Sequence, residues 1–204
     1  MGVREAEDHD RGQAIETLTL AFGADPMLRY LAPADETYER VAPTFFGCLF
    51  DLRAHGGGEV RVTDDVSAVS LWNPPGGNRH GADHVEAVWA EQVLARLDAA
   101  ELERMEVFGE TLSSIHPEEP HWYLGVVGVR PDRQGEGLGG AVIRAVLCDP
   151  LAEGDPAYLV TALERNLAIY RRLGFELLAE SDIPGGPHLW GMWREPGQGL
   201  GPRG

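Results

Sequence analysis

The stretch RPDRQGEGLGG, residues 130–140, places glycines at 135, 137, 139 and 140 between two apolar runs. A phosphate needs backbone N–H groups that approach it without side-chain obstruction. Glycines permit the approach, and a helix N-terminus adds a favourable dipole. The loop stands just before AVIRAVL and meets both conditions. Its spacing fits two patterns at once. Gly135-Glu136-Gly137-Leu138-Gly139-Gly140 matches G-x-G-x-x-G, the dinucleotide fingerprint, while Gln134 opens Q-x-x-G-x-G, a pattern used for coenzyme A. Spacing alone leaves both ligands open.

Other reactive residue types are sparse. Cys48 and Cys148 sit in apolar, helix-like surroundings without metal-ligand spacing, so both read as buried reduced thiols. The seven histidines form no HExxH or similar grouping, and no metal site is expected. Glu164 ends a later strand about where a ribose-binding acid would lie, which favours a dinucleotide. Against it, the first glycine comes five residues after the strand-ending Arg130, whereas the fingerprint turn follows its strand at once. The loop also lies late in the chain, and the preceding elements read as antiparallel.

The elements that must position this loop follow from periodicity. Ala14, Leu18, Ala21 and Phe22 share one helical face over residues 8–24, and Asp25-Pro26 closes that helix. Tyr38, Val41, Phe45, Leu49 and Leu52 predict a helix from Glu36 to about His55. Residues 59–63 and 66–72 read as strands joined by the Asp64-Asp65 turn, and 83–114 as helical. WYLGVVGV, 122–129, is a strand leading into the loop, and 138–147 is a helix. AYLVTA, 157–162, is a buried strand. ERNLAIYRRLGF is a short helix with Gly174 as its left-handed cap, and a terminal hairpin follows. The pattern predicts one α/β domain with a mixed sheet over residues 1–195, then a disordered tail, 196–204.

The chain has 204 residues, 17 basic (all Arg) and 33 acidic, for a net charge of −16. Such a surface excludes nucleic acid as the main partner, because binding there requires cations to displace counterions. No stretch reaches membrane-spanning length, and the charged MGVREAEDHDRG start does not read as a secretory signal, so a cytoplasmic, membrane-free protein is expected. A homodimer is compatible with the sequence, which does not settle oligomeric state.

VVGVRPDRQGEGLGGAVI resembles the acetyl-CoA motif of the GNAT N-acetyltransferase superfamily. ERNLAIYRRLGFE resembles that family's second motif, with Asn166, Tyr170 and Gly174-Phe175 in their usual order. Longer stretches between about residues 59 and 194 resemble the puromycin N-acetyltransferase-like members. The resemblance implies the GNAT fold: a single domain whose mixed, mostly antiparallel sheet carries helices on both faces and holds acetyl-CoA between two parting strands.

By position, it implies that the strand backbone at Val127 and Val129 faces the thioester and pantetheine arm, with the Val127 N–H on the acetyl carbonyl. Backbone N–H groups of Gln134, Gly135, Gly137, Leu138, Gly139 and Gly140 take the pyrophosphate, and Arg133 adds charge. Asn166 bonds the pantetheine or the neighbouring backbone. Tyr170 is the general acid for the departing thiolate. The implied activity is transfer of an acetyl group to a primary amine of a small molecule, in a ternary complex. A non-catalytic acyl-CoA sensor and, more remotely, a dinucleotide oxidoreductase are the alternatives.

Histone-type members carry a glutamate base where this chain has Tyr123. Deprotonating an amine of pKa ~10.4 at pH 7 costs about 4–5 kcal/mol, against about 1.4 for an α-amino group near 8. A low-pKa amine, such as the aminoacyl amine of a puromycin-like acceptor, is therefore expected. Glu118, Glu119 and His121 could relay a proton through water, although a solvated surface role suits each better. Phe22, Tyr30, Phe45, Phe46 and Trp89 could line an acceptor pocket, although helical spacing also places them in the core.

Overall fold

A computed structural model describes residues 2–149, 152 and 154–198. Seven strands make one sheet: β1 (Val3–Glu5), β2 (Glu59–Thr63), β3 (Ala68–Asn73), β4 (Trp122–Val129), β5 (Ala157–Thr161), β6 (Glu176–Asp182) and β7 (His188–Arg194). Their order is β1-β2-β3-β4-β5-β7-β6, and every pairing is antiparallel except β4 with β5. The one parallel pair needs a crossover, which α6 (Leu138–Leu147) supplies. A dinucleotide fold needs a run of such parallel units, and this sheet does not contain one.

Helices cover both faces. On one lie α1 (Arg11–Ala21), α2 (Pro26–Leu31), α3 (Asp35–Ala54), α4 (Ala82–Gln92) and α5 (Ala99–Ile115). Ala14, Leu18, Phe46 and Phe50 from this layer bury against Val60, Val62, Val69, Leu71 and Val126 of the sheet. The opposite face carries α6 and α7 (Glu164–Arg172), whose Ile143, Val146, Leu167 and Tyr170 pack with Trp72, Leu124, Leu159 and Met192. No helix of the described residues is long and apolar enough to cross a membrane.

Three elements depart from the sequence expectation. β1 was not anticipated, because three charged-flanked residues give no periodicity; it forms by backbone pairing with β2. Asp25-Pro26 closes α1 as expected but also starts α2: Asp25 Oδ1 accepts from the Met27 and Leu28 N–H groups, and Pro26 occupies the first turn. Residues 83–114 divide at Asp98, which forms a capping box with Glu101 at the start of α5. Cys48 is buried, as expected, but Cys148 is exposed at the C-terminus of α6, where the helix has ended and its side chain leaves the core. Of the tail, Gln198 offers its carbonyl to Arg194; residues 199–204 lie outside the described residues.

The N-terminus is tied down by a bidentate pair, Arg4 to Asp10, at 2.6 and 2.8 Å. The Arg4 hydrogen bonds lower the Asp10 carboxyl from its ordinary 3.8 to about 2. Its stabilisation is complete above the unfolded value and disappears as pH falls through the folded one. Acid titration of stability should therefore show a decline between about pH 4 and pH 2 that Asp10→Asn removes.

Candidate functional site

β4 and β5 pair only through Trp122–Ala157, Tyr123–Tyr158 and Leu124–Leu159. At that point the β3–β4 register slips: Leu71 faces Val126 while Trp72 faces Leu124, leaving Gly125 as an extra residue. Such a bulge bends its strand and re-aims the residues beyond it. From Gly125 onward β4 keeps β3 on one side and has no strand on the other, while β5 continues beside β7. The result is a gap between the two central strands.

The bulge also decides which backbone groups face that gap. The Arg130 N–H donates to the Ser67 carbonyl on the β3 side. Alternation along an antiparallel strand then directs the Gly128 and Val126 N–H groups to β3, and those of Val127 and Val129 into the gap. The Trp122 N–H, upstream of the bulge, points the other way, to the Pro156 carbonyl. Val127 and Val129 turn their side chains toward α6, where Ala68, Leu138 and Val142 pack.

The glycine loop follows at the open end. Pro131–Arg133 form a 3-10 turn, and Gly137, at φ 78° and ψ 6°, starts α6 in the left-handed region. No side chain caps this helix and no acid occupies its first turn. None of the backbone N–H groups from Gln134 to Gly140 donates to another residue among the described ones. The residues from Gln134 through Gly137 are exposed, Leu138 is buried, and Gly139 and Gly140 are half-buried. A row of free donors on a helix dipole is an anion cradle. Gln134 additionally donates its Nε2 to the Val129 carbonyl (3.2 Å), tying the loop to the gap-facing strand edge.

Arg133 is committed to carboxylates: Nη1 to Asp65 at 2.6 Å, Nε and Nη2 to Glu136 at 2.9 Å each. A phosphate on the loop competes with both acids for this guanidinium. Asp65 belongs to the β2–β3 turn, where Ser67 and Thr63 also donate to it.

The other wall of the gap comes from α7. Asn166 reaches Thr161 at the end of β5 (Nδ2 to Oγ1, 3.4 Å). Tyr170 is buried edge-on against Phe175, yet its hydroxyl has no hydrogen-bond partner among the described residues. Burial first, and then the negative charge of Asp25, hold its pKa above the ordinary 10. Asp25 approaches from the opposite layer. It is 7% exposed, uses Oδ1 as the α2 cap, and is held above the usual carboxylate range by burial, with Arg165 opposing. Sequence reading took this aspartate only as a helix stop; the D-P dipeptide before an apolar run was the available signal. Asp25→Ala should cost about 1 kcal/mol in a urea titration, whereas Asp25→Ser, which keeps a cap, should stay within a few tenths. A serine variant as unstable as the alanine variant would contradict the capping role.

On the α3 side of the same strands, Tyr123 stacks on Tyr158 (6.1 Å between centroids) and meets His116 edge-on (5.0 Å). His121 packs among Tyr158, His116 and Trp193. It is buried rather than solvated, and its Nδ1 donates to the Glu119 carbonyl (2.6 Å); Glu118 and Glu119 are exposed. Packing and the facing His121 ring lower the His116 pKa, favouring its neutral form. Tyr158 donates to the Ile115 carbonyl (2.7 Å). Phe45, Phe46, Trp89 and Phe22 interlock as rings in the α1–α3 core, so they are packing residues. Tyr30 packs partly buried against the same core and lies over Gly186 in the β6–β7 turn. Among the described residues no group of three or more His, Cys, Asp or Glu is placed to hold a metal ion.

The gap, the loop and α7 thus bring Val127, Val129, Gln134–Gly140, Asn166 and Tyr170 to one end of the sheet. A family model described as "FR47-like protein" matches residues 114–182, the segment from the end of α5 through β6. The chain is similar in structure to a "histone acetyltransferase HPA2 and related acetyltransferase" from Corynebacterium glutamicum, with TM-score 0.71 and 21% identity over 97% of each chain. It is also similar to an N-acetyltransferase from Staphylococcus aureus (TM-score 0.63, 13% identity, 95% of this chain and 100% of that one). A third likeness is to the polyamine N-acetyltransferase of Drosophila melanogaster, which forms N-acetylagmatine (TM-score 0.53, 15% identity, 95% and 99% covered). The fold is that of the GNAT acetyltransferases.

Proposed function

We propose that this protein is an acetyl-CoA-dependent N-acetyltransferase that moves an acetyl group to a primary amine of a small molecule, by direct transfer in a ternary complex. The observation that carries the reading is the continuous set of unused donors: the N–H groups of Gln134 to Gly140 lead to the gap-facing edge at Val129 and Val127. A pyrophosphate fits the first part, and an extended pantetheine arm with its amides fits the second as an added strand.

Acetyl-CoA, as substrate, brings an activated thioester. The Val127 N–H holds the carbonyl oxygen and stabilises the negative charge that develops there as the amine attacks. Asn166 orients the arm from the β5 side. The Tyr170 hydroxyl, without a hydrogen-bond partner among the described residues, donates its proton to the departing sulfur. Burial holds the Tyr170 phenol above its ordinary 10, so it stays protonated and can donate at neutral pH. A thiolate leaving into a desolvated gap has its own pKa raised as well, so both partners of the proton transfer shift in the same direction. No nucleophilic side chain is needed: Cys48 is buried in the α3 core and Cys148 lies beyond the far end of α6.

Tyr123, where a carboxylate base would stand, has its phenol pKa raised by burial and opposed by Arg53, so it holds its proton at neutral pH. The acceptor amine therefore has to be one whose pKa is low once it is bound. An aminoacyl amine of the puromycin type meets that requirement, supported by the resemblance of residues 59–194. Thiol release from acetyl-CoA, measured across puromycin, aminoglycosides, polyamines and peptide N-termini, tests the reading. Amine-dependent release is expected. Coenzyme A binding without release from any amine would favour a sensor, and NADH binding without coenzyme A binding would remove the reading altogether.

A further inference from the structure

Arg53, in the last turn of α3, is 5% exposed and makes one hydrogen bond, from Nη1 to the Leu49 carbonyl of its own helix (3.0 Å). Its Nε is buried without a partner, and its Nη2 has none among the described residues. No carboxylate of the described residues pairs with it. By contrast Arg194, comparably buried, donates from two nitrogens, to the Leu173 and Gln198 carbonyls. Burying an uncompensated cation is unfavourable, so a fold that keeps one bears a real penalty. Desolvation draws the guanidinium down to about 10, so it remains charged at neutral pH.

The path of the side chain is cleared by two glycines. A methyl at Gly58 would press on the Arg53 Cβ and Cγ at 3.0 and 3.1 Å, and one at Gly125 would collide with Nη2. Nη2 therefore lies directly over the bulge of β4, beside Tyr123, on the face opposite α6. Gly125 stands two residues before Val127, about 7 Å along a strand. A carboxylate at Nη2 and an amine at the acetyl carbonyl held by Val127 would then sit a few atoms apart, within reach of one small amino carboxylate.

We infer that Arg53 is the anchor for a carboxylate carried by the amine acceptor, so that the substrate class is a free α-amino acid or a closely related amino carboxylate. The inference rests on reading the gap as the site of acetyl transfer. A carboxylate can accept from Nη2, which makes no hydrogen bond among the described residues and, unlike Nε, is not enclosed by the protein. The cation also answers the missing base. A free amino acid has a more basic amine than an aminoacyl amide, and a guanidinium held against its carboxylate favours the neutral amine. The acceptor is then distinguished from puromycin, whose reacting amine neighbours an amide.

The test is calorimetric binding of glycine, L-leucine and L-phenylalanine against their primary amides, in the presence of coenzyme A, with acetylation followed in parallel. At least one acid should bind about tenfold or more tightly than its amide. That preference should vanish in Arg53→Met and survive in part in Arg53→Lys, with coenzyme A affinity unchanged in both. Equal binding of acids and amides by the unaltered protein, no binding of any acid at millimolar concentration, or a preference that persists in Arg53→Met would each overturn the inference. Equal acetylation of acids and amides would also overturn it while leaving the transferase intact. Arg53-dependent acid binding without acetylation of any amine would sustain the anchor and remove the transferase reading.

Discussion

Tyr170→Phe is expected to lower acetyl transfer by about 10²–10⁴-fold while leaving acetyl-CoA affinity and stability near their original values. The hydroxyl has no hydrogen-bond partner among the described residues, so its removal strands no buried donor or acceptor of theirs. The ring that packs on Phe175 is retained. What disappears is the proton offered to the leaving sulfur. A single-turnover assay with the best amine separates this from binding: the chemical step should slow and the donor Kd should not move. Unchanged turnover would remove Tyr170 from the mechanism. The raised phenol pKa also predicts that activity does not fall on the alkaline side at an ordinary tyrosine value, because the group stays protonated through pH 10.

The second large effect is expected at the cradle. Gly137 begins α6 at φ 78°, where a β-branched residue is strained by about 1–2 kcal/mol. Gly137→Val also places a side chain beside the free N–H groups of Leu138 and Gly139. The KM for acetyl-CoA should rise tenfold or more, a loss of about 1.4 kcal/mol or greater in donor binding. S-acetylpantetheine lacks the pyrophosphate and does not use these groups, so its kcat/KM should change little. A variant that impairs both donors equally would show that the loop shapes the gap rather than holding phosphate.

Much of this arrangement was readable from local sequence. The glycines at 135, 137, 139 and 140 do not decide the ligand alone; their distance from the strand and the later Asn166–Tyr170 pair do. The Asn166–Tyr170 spacing places both on one face of a short helix. The order of strands and helices around them follows from periodicities of two and 3.6. The losses have physical causes. β1 holds through backbone hydrogen bonds to β2, which its side chains do not advertise. The double role of Asp25 and the break at Asp98 were capping signals hidden inside stretches read for their hydrophobic period. Arg53 was invisible for a deeper reason. In sequence it is one more arginine near a helix C-terminus, a favourable and ordinary place. Only the tertiary fold shows that Gly58 and Gly125, far apart in the chain, clear its way to the bulge and leave it unpaired.

His121 shows the same limit. Between two acids and a strand it reads as solvated, yet the sheet carries it under Trp193 and Tyr158. The bulge at Gly125 has the largest consequence of all, since it reverses which backbone groups of β4 face outward. A sequence with plain apolar alternation through VVGV does not reveal that reversal; the shift from Leu124 to Val126 opposite Trp72 and Leu71 does.

Direct transfer across the β4–β5 gap is tested most sharply by a single turnover with acetyl-labelled acetyl-CoA, quenched over time and read by intact mass of the protein and of the amine. The expected result is label passing to the amine as free thiol appears, with the protein mass unchanged at every time point. A protein species carrying the acetyl group that forms and decays at the rate of turnover would contradict direct transfer.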